Sequence, residues 1–208
     1  TQLLIELYRE FLLKRNQYIE ETFEYIDVKD NREGVEYRTL KARKIVFTEG
    51  FGVHKNPYFK YLPLEGTKGE LITIHAPTLK LVVILKSSIF VIPMGEDRYL
   101  VGSTYEWTDK TNEPTQKSKI ELIEKLERLI GCDYEIVDQR AGIRPTVVDR
   151  RPLVGQHPSH KNMHVLNGLG TRGVLVAPSM AKALYDSIEK GASLPAEIDI
   201  SRFVAVFS

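Results

Sequence analysis

The sequence is nearly devoid of cysteine, because Cys132 is the only one among its 208 residues. One cysteine cannot form an internal disulfide, which excludes the small secreted proteins that depend on disulfides for stability. We therefore expect a reducing compartment, the cytoplasm. Neither neighbour of Cys132 is a histidine or an arginine that would favour a reactive thiolate, so the sequence predicts an inert side chain.

A large excess of positive or of negative charge is also lacking. Lysine and arginine number 29 against 28 acidic residues, and the formal net charge is +1. Proteins that bind nucleic acids or anionic membrane surfaces collect phosphates with a basic surplus. The sequence therefore predicts no nucleic-acid partner.

No hydrophobic run is long enough to cross a membrane. The longest apolar stretch, residues 79–93, is interrupted by Lys86, Ser87 and Ser88, whereas a spanning helix needs roughly 18 uninterrupted residues. We expect two buried strands there and no membrane span. The chain begins at Thr1 without the basic region and cleavage site of a signal peptide, and we expect it to be part of a longer polypeptide.

What is present is the composition of a folded protein, 42% hydrophobic and 27% charged, enough for one large domain or two small lobes. Apolar residues at helical spacing predict a helix over residues 2–15 with one buried face, and a capping box predicts another from Ser118 to Gly131. Stretches rich in β-branched and aromatic residues predict strands. These are residues 18–28, 35–40, 43–48, 69–75, 79–86, 88–93, 98–102, 134–139 and 163–167. Short links between residues 69 and 102 predict an antiparallel meander covered by helices, and hence an α+β fold.

A glycine-rich loop follows the strand predicted at residues 163–167, and a helix predicted to end at Gly191 follows the loop. The loop fits the pattern G-x-G-x-x-G, in which backbone N–H groups at a helix start bind a pyrophosphate. Pro178 lies where the crossover helix of such a fold would be well formed, which argues against this interpretation. A purely structural turn and a helix start that faces another electron-rich ligand group are the alternatives.

Arg144 lies between the flexible Gly142 and the rigid Pro145. An arginine held in such a turn can present its guanidinium fork to a carboxylate. A surface arginine paired with a nearby acid is the alternative interpretation. His157, His160 and His164 invite a zinc site, but their spacing fits no closed site, and we expect no metal.

Four motifs in order resemble the D-amino acid oxidase superfamily of FAD-dependent oxidoreductases, and glycine oxidase-like enzymes in particular. They are residues 44–52, the hairpin at residues 99–106, residues 140–155 and the segment 167–178. The four motifs follow one another in the family's order and span nearly the whole chain.

The resemblance implies the cofactor FAD and a fold in which a substrate-binding lobe interrupts an FAD-binding lobe. Residues 1–60 would form part of the FAD-binding lobe, residues 61–140 the substrate lobe with a mixed, largely antiparallel sheet, and residues 141–208 the C-terminal part of the FAD-binding α/β lobe. The family removes a hydride from the carbon that bears an amine and passes it to the flavin. The imine is hydrolysed, and in oxidases O2 yields hydrogen peroxide.

The resemblance also implies site residues. Arg144 matches the arginine that binds the substrate carboxylate of a small amine or amino acid, and Tyr105 is a second substrate-binding candidate. The chemistry takes place on the flavin, so no residue is expected to be catalytic. The expected flavin contacts are Gly50, Gly168, Leu169, Gly170, Thr171, Arg172, Gly173 and Val174.

Two departures from the family pattern matter. Glu49 and Phe51 stand where a small residue and a tryptophan are usual, and the N-terminal G-x-G-x-x-G with its ribose-binding acid is absent. The expected partner is therefore a preceding FAD-binding segment of the same polypeptide, without which this chain would bind FAD incompletely and be inactive. The alternatives are a non-catalytic α+β binding or assembly module and a nicotinamide-dependent dehydrogenase.

Overall fold

A computed structural model describes residues 2–207, which divide into two compact units. The terminal unit consists of the residues up to Leu62 and those from Arg151 onward, and the central unit is Pro63–Arg150. The predicted boundaries at residues 61 and 141 stay predictions; residue 141 falls inside a strand that continues to Arg144. The assignment of these units to a flavin lobe and a substrate lobe stays a prediction.

The central unit is one antiparallel sheet with one helix. Its elements are β5 (Thr67–His75), β6 (Leu85–Lys86), β7 (Phe90–Gly95), β8 (Arg98–Gly102), α2 (Gln116–Glu127) and β9 (Glu135–Arg144); the numbering follows the chain, in which four strands precede β5. The spatial order is β6-β7-β8-β5-β9. The expected hairpins β6–β7 and β7–β8 are confirmed, but β5 pairs with β8 and β9 rather than with β6.

Helix α2 covers the sheet, as expected. Leu122 and Leu126 are fully buried and share a core with Ile72 and Val101 of the sheet. The helix begins earlier than the predicted capping box, because Thr115 is the N-cap and its side-chain oxygen accepts a hydrogen bond from the backbone N–H of Ser118 at 3.2 Å.

The strand predicted at residues 79–86 is wrong for most of its length, since only its last two residues form β6. Lys80 has a φ of 45°, which interrupts an extended chain. Val82 is 89% exposed as a result. Leu79 and Leu81 nevertheless pack against the core.

The terminal unit contains two small sheets. Its elements are α1 (Gln2–Lys14), β1 (Val28–Asp30), β2 (Val35–Tyr37), β3 (Leu40–Ala42), β4 (Ile45–Phe47), β10 (Leu153–Gln156), β11 (Met163–Asn167) and α3 (Gly173–Lys190), with short 3₁₀ helices at Tyr25–Asp27, Gly50–Lys55, Gly170–Arg172 and Ile200–Phe207. Strands β1, β2 and β3 are antiparallel, and β11 lies between an antiparallel β10 and a parallel β4. The predicted α+β class with largely antiparallel sheets is confirmed; among the described strands the parallel pair lies in the terminal unit, and the sheet of the central unit is antiparallel throughout.

The strand predicted at residues 18–28 is wrong, because extended pairing begins only at Val28. The aromatic side chains form a cluster instead. Phe23 stacks on Tyr37 with ring centroids 4.3 Å apart and meets Phe47 edge-on. The backbone N–H of Glu24 donates to the Tyr37 hydroxyl at 3.1 Å, so side-chain packing replaces strand pairing here.

Helix α1 is confirmed, but its expected buried face is wrong for the residues described. Leu3 is 66% exposed and Leu4 is 65% exposed. The periodicity of apolar residues predicts a helix, whereas its burial depends on a packing partner, and nothing between residues 2 and 207 buries these side chains.

Helix α3 packs on the mixed sheet through the fully buried Val154 of β10 and the buried Leu184. The helix runs through Pro178 and ends as predicted, with Gly191 in the left-handed conformation at φ 68°. Because β4 and β11 are parallel neighbours, their carboxyl ends lie at one edge of the sheet. The turns that contain Gly50 and Gly168 follow these two ends.

Candidate functional site

Arg144 is the last residue of β9, and its guanidinium is held by the segment that follows β8. Nη2 donates to the Ser103 hydroxyl at 2.8 Å, and both Nη atoms lie 3.4 Å from the Thr104 carbonyl oxygen. The Arg144 Cζ lies 4.7 Å from the centre of the Tyr105 ring. The two predicted substrate-binding side chains are therefore brought together within the central unit.

The positive charge of Arg144 has no carboxylate partner within 4.0 Å among residues 2–207. Burial lowers the pKa of Arg144 from its ordinary value, opposed by the nearby Tyr105, yet an arginine stays protonated in proteins. The interpretation as a surface arginine paired with an acid finds no partner in the described chain. A partly buried cation with unused N–H donors is suited to binding an anion.

The segment that carries these partners is fixed to β5. The Thr104 hydroxyl accepts from the Glu70 backbone N–H at 2.9 Å. Beyond Tyr105, Glu106 and Lys68 exchange two backbone hydrogen bonds of 2.9 Å. The backbone is thus held on both sides of Tyr105, whose own side chain is 61% exposed.

A buried polar network anchors the next part of the segment. Lys68 is fully buried, and its ammonium donates to the Asp109 carboxylate and to the Glu113 carbonyl oxygen. Glu70 accepts hydrogen bonds from the backbone and the hydroxyl of Thr115, each at 2.8 Å. The Lys68 ammonium lowers the pKa of Asp109 to about 2, together with hydrogen bonds from Thr111.

The predicted flavin contacts lie in the terminal unit, where buried Asn167 links their two turns. Its side-chain N–H donates to the Gly50 carbonyl oxygen at 2.8 Å, and its side-chain oxygen accepts from the Gly168 backbone N–H at 2.8 Å. Gly50, Gly168 and Gly170 have φ values of 56°, 69° and 57°, a conformation that favours glycine.

The residues at the start of α3 fit a flat ring with an electron-rich edge. No side chain caps the helix, and its start carries the positive end of the helix dipole. Val174 is 64% exposed and Leu175 is 77% exposed there. A Cβ atom on Gly50 or Gly170 would meet nothing within 4 Å, so both turns border open space.

Glu49, one of the departures from the family pattern, is bound inside its own unit. Its carboxylate accepts hydrogen bonds from the Tyr25 hydroxyl and, at 2.8 Å, from the Asn56 side chain. Burial and then the Glu49 carboxylate raise the pKa of Tyr25. Phe51, the second departure, packs against His54, and Gly50 between them keeps its left-handed conformation.

Two of the three candidate histidines have structural partners, whereas His164 is buried and its Nδ1 has no hydrogen-bond partner among the described residues. His157 is buried with Nε2 3.1 Å from the Tyr58 carbonyl oxygen, and His160 lies 2.9 Å from the Asp30 carboxylate. In the described part of the chain, no three His, Cys, Asp or Glu side chains are grouped to hold a metal ion. No helix within residues 2–207 is long and apolar enough to cross a membrane.

Sequence reasoning includes Ser103, Thr104 and Asn167 in its motifs but assigns them no role in the site. Ser103 and Thr104 directly precede Tyr105, and Asn167 directly precedes the glycine loop. Their positions next to predicted site residues are the sequence feature that could have indicated a role in the site. Their roles depend on strand pairs between distant segments, which local sequence does not specify.

Comparison with known families decides the class of the protein. The model of the family described as FAD dependent oxidoreductase (DAO) matches residues 2–187. The chain belongs to this family. The cofactor of this family is FAD, and the predicted resemblance is confirmed.

Two curated relatives carry more specific names. The chain is 27% identical to the glycine oxidase of Bacillus licheniformis over 157 residues, which cover 72% of this chain and 42% of that protein. It is 30% identical to the tRNA 5-methylaminomethyl-2-thiouridine biosynthesis bifunctional protein MnmC of Thiobacillus denitrificans over 155 residues, or 69% of this chain and 25% of that protein. The chain thus spans less than half the length of these relatives.

The fold is also similar to that of solved oxidase structures. The iminodiacetate oxidase IdaA of Chelativorans sp. BNC1 superposes with a TM-score of 0.68 at 23% identity, over 85% of this chain and 51% of that chain. At this identity the likeness establishes the fold and leaves the substrate to be argued from the site.

Proposed function

We propose that this chain supplies the substrate-binding unit and part of the flavin-binding unit of an enzyme that oxidises the C–N bond of a small amine or amino acid. The observation that carries the proposal is the guanidinium of Arg144, which is partly buried and lacks a carboxylate partner among residues 2–207. Glycine and iminodiacetate, the compounds after which two similar proteins are named, both contain an amine and a carboxylate.

Arg144 would bind the substrate carboxylate. Ser103 and Thr104 hold one part of the guanidinium, and its remaining N–H donors are free to form a charge-assisted pair with two carboxylate oxygens. Tyr105 would limit the space beside this pair. With its carboxylate bound to Arg144, a small substrate would have its amine end held in one orientation.

The flavin would be held by Gly50, Gly168, Leu169, Gly170, Thr171, Arg172, Gly173 and Val174. The backbone N–H groups at the start of α3 would bind the electron-rich pyrimidine side of the ring, where the positive end of the helix dipole stabilises negative charge. Asn167 would keep the two glycine turns in register. When bound, the flavin supplies a hydride acceptor for the carbon next to nitrogen, with an imine as product and hydrogen peroxide where O2 is the oxidant.

The chain's own residues would bind and orient rather than transfer protons. We propose no general base, because an amine that enters unprotonated can release a hydride directly. If Arg144 and Tyr105 bind the substrate, replacing their side chains should raise KM for carboxylated amines. FAD binding should change little.

The partner would be a further FAD-binding segment of the same polypeptide. Leu3 and Leu4 of α1 and Leu175 of α3 are strongly exposed, and apolar surface of this kind favours a packing partner. The relatives are more than twice as long as the part that this chain matches, which leaves room for such a segment.

The test is a titration of FAD into this chain and into the longer polypeptide, followed by flavin fluorescence and co-elution on a sizing column. We expect the longer polypeptide to retain FAD and this chain to retain little. Arg144→Ala in the longer polypeptide should retain FAD yet lose its preference for carboxylated amines. Failure of both proteins to retain flavin would contradict the proposal and favour a non-catalytic binding module.

A further inference from the structure

Gly69 lies in the interior of β5, and the register places it close to Arg144. Gly69 pairs with Gly142 of β9, and Thr67 pairs with Arg144. Paired residues project to the same face of a sheet, and so do residues two apart on one strand. Gly69, Gly142 and Arg144 therefore share one face of the central sheet.

The Arg144 guanidinium occupies the space where a side chain at Gly69 would begin. A Cβ atom built on Gly69 would lie within 3.0 Å of Cζ and of both Nη atoms of Arg144. A Cβ atom built on Gly142 would meet nothing within 4 Å. Neither residue has a φ in the left-handed region, so backbone conformation does not explain glycine at Gly69.

A glycine within a strand gives up side-chain packing, and one reason for it is the close approach of another group. Here the approaching group is the charged end of Arg144. Only with a bare backbone at Gly69 can the guanidinium lie where Ser103 accepts its hydrogen bond at 2.8 Å and the Tyr105 ring centre is 4.7 Å from Cζ.

We infer that Gly69 is a positioning residue that determines the preference for carboxylate-bearing substrates by giving the Arg144 guanidinium its place on the sheet. This inference rests on the proposed function of Arg144. A methyl group at Gly69 would displace the guanidinium, because the end of a long flexible side chain moves more easily than the paired strands. The fold would survive, and the carboxylate site would not.

The experiment uses the 208-residue chain with isotope-labelled arginine and follows the Nε–H signals by NMR. The Arg144 signal is identified by its loss in Arg144→Lys. Sodium acetate is the probe, and acetamide at constant ionic strength is the neutral control. Gly142→Ala is the matched control variant, since it adds the same methyl group to the same face and strand pair where space is open.

In the wild type, the chemical shift of the Arg144 Nε–H signal should change with added acetate until the site is saturated and should not change with acetamide. Gly142→Ala should give the same result as the wild type. In Gly69→Ala the signal should already differ without ligand, because the guanidinium has left the Tyr105 ring. Acetate should then bind about tenfold more weakly, the size expected for the loss of one charge-assisted hydrogen bond. The melting temperature should change little.

Two failures can be told apart. If Gly69→Ala leaves both the ligand-free signal and acetate binding as in the wild type, or if Gly142→Ala weakens binding equally, the inference about Gly69 is overturned while Arg144 keeps its proposed function. If the wild-type Arg144 signal does not respond to acetate, the proposed function of Arg144 fails, and the inference fails with it.

Discussion

Helix α2 of the central unit and helix α1 of the terminal unit carry similar apolar patterns but have different surroundings. Leu122 and Leu126 of α2 are fully buried, whereas Leu3 and Leu4 of α1 are 66% and 65% exposed. Full burial of such a side chain contributes about 1.5–3 kcal/mol, which α2 gains and α1 largely forgoes. A helical pattern of apolar residues therefore specifies the helix but not the surface that packs against it.

The two units also differ in how they present polar groups. In the central unit, buried Lys68 and Glu70 have partners. The charged side chain of Arg144 lies at the end of a strand of the antiparallel sheet and has no carboxylate partner among the described residues. In the terminal unit, the predicted flavin contacts are glycine turns and the start of α3, which no side chain caps and which carries the positive end of the helix dipole. A substrate anion suits the first arrangement, and an electron-rich ring edge suits the second.

The largest effect is expected for Leu126→Ala in the closed core of the central unit. Removal of this fully buried side chain leaves a cavity, which lowers the free energy of unfolding by about 2–5 kcal/mol. Leu4→Ala on α1 is the matched control, and its effect should stay within about 0.5 kcal/mol. Urea unfolding measures both, and equal losses would refute the contrast between the two helices.

Glu70→Gln tests the buried carboxylate of the central unit. Burial by itself raises the pKa of Glu70, but hydrogen bonds from Thr115, Ser118 and Gln139 outweigh it, and the pKa lies below its ordinary value. Because glutamine cannot replace all these acceptor sites, the variant should lose about 1–3 kcal/mol near neutral pH.

The pH dependence of this loss has a definite sign. A lowered folded-state pKa gives stability that is present above the unfolded value of about 4.3 and is lost as pH falls through the folded value. The difference between wild type and Glu70→Gln should therefore shrink below about pH 4. Glu121→Gln, whose carboxylate pairs with Lys125, is the control, and a difference independent of pH would contradict the account.

Asn167→Asp tests the terminal unit. Aspartate keeps the acceptor for the Gly168 N–H but cannot donate to the Gly50 carbonyl oxygen, and we expect a loss of about 1–2 kcal/mol. FAD retention by the longer polypeptide should fall as the two turns separate. Asn162→Ala, which removes contacts to Asp30 and Asn31 instead, should leave FAD retention unchanged. Unchanged retention in Asn167→Asp would count against the proposed role of Asn167 in linking the two glycine turns.

The smallest change in stability is expected for Leu175→Ser, because this side chain is 77% exposed. The free energy of unfolding should change by less than about 0.5 kcal/mol. FAD binding or assembly of the longer polypeptide should nevertheless weaken, since the apolar surface beside the α3 start is reduced. Tyr185→Ser on the same helix, 59% exposed, is the control and should leave both measurements unchanged.

The sequence predicts those elements whose pattern is local. Strands β8 and β11 and the end of α3 at Gly191 match the expected bounds. The strand expected at residues 134–139 continues to Arg144 because β5 pairs along its whole length. Such a pair joins distant segments, and no short-range pattern encodes it.

The candidate site follows the same rule. Arg144 stands out from its glycine and proline neighbours, but its contact with Ser103 spans two segments far apart in sequence. Asn167 acquires its partners only because β4 and β11 are parallel neighbours. Site residues with a local signature can be predicted, and the residues that hold them require the fold.

The most direct test of the central claim mixes the flavin-loaded longer polypeptide with glycine without oxygen and follows the loss of the oxidised flavin's visible absorbance. Methylamine, which lacks the carboxylate, and Arg144→Ala serve as controls. We predict rapid flavin reduction by glycine or a related small amino acid, little by methylamine, and loss of this preference in Arg144→Ala. Equal reduction rates by carboxylated and uncarboxylated amines in wild type and Arg144→Ala would contradict the account.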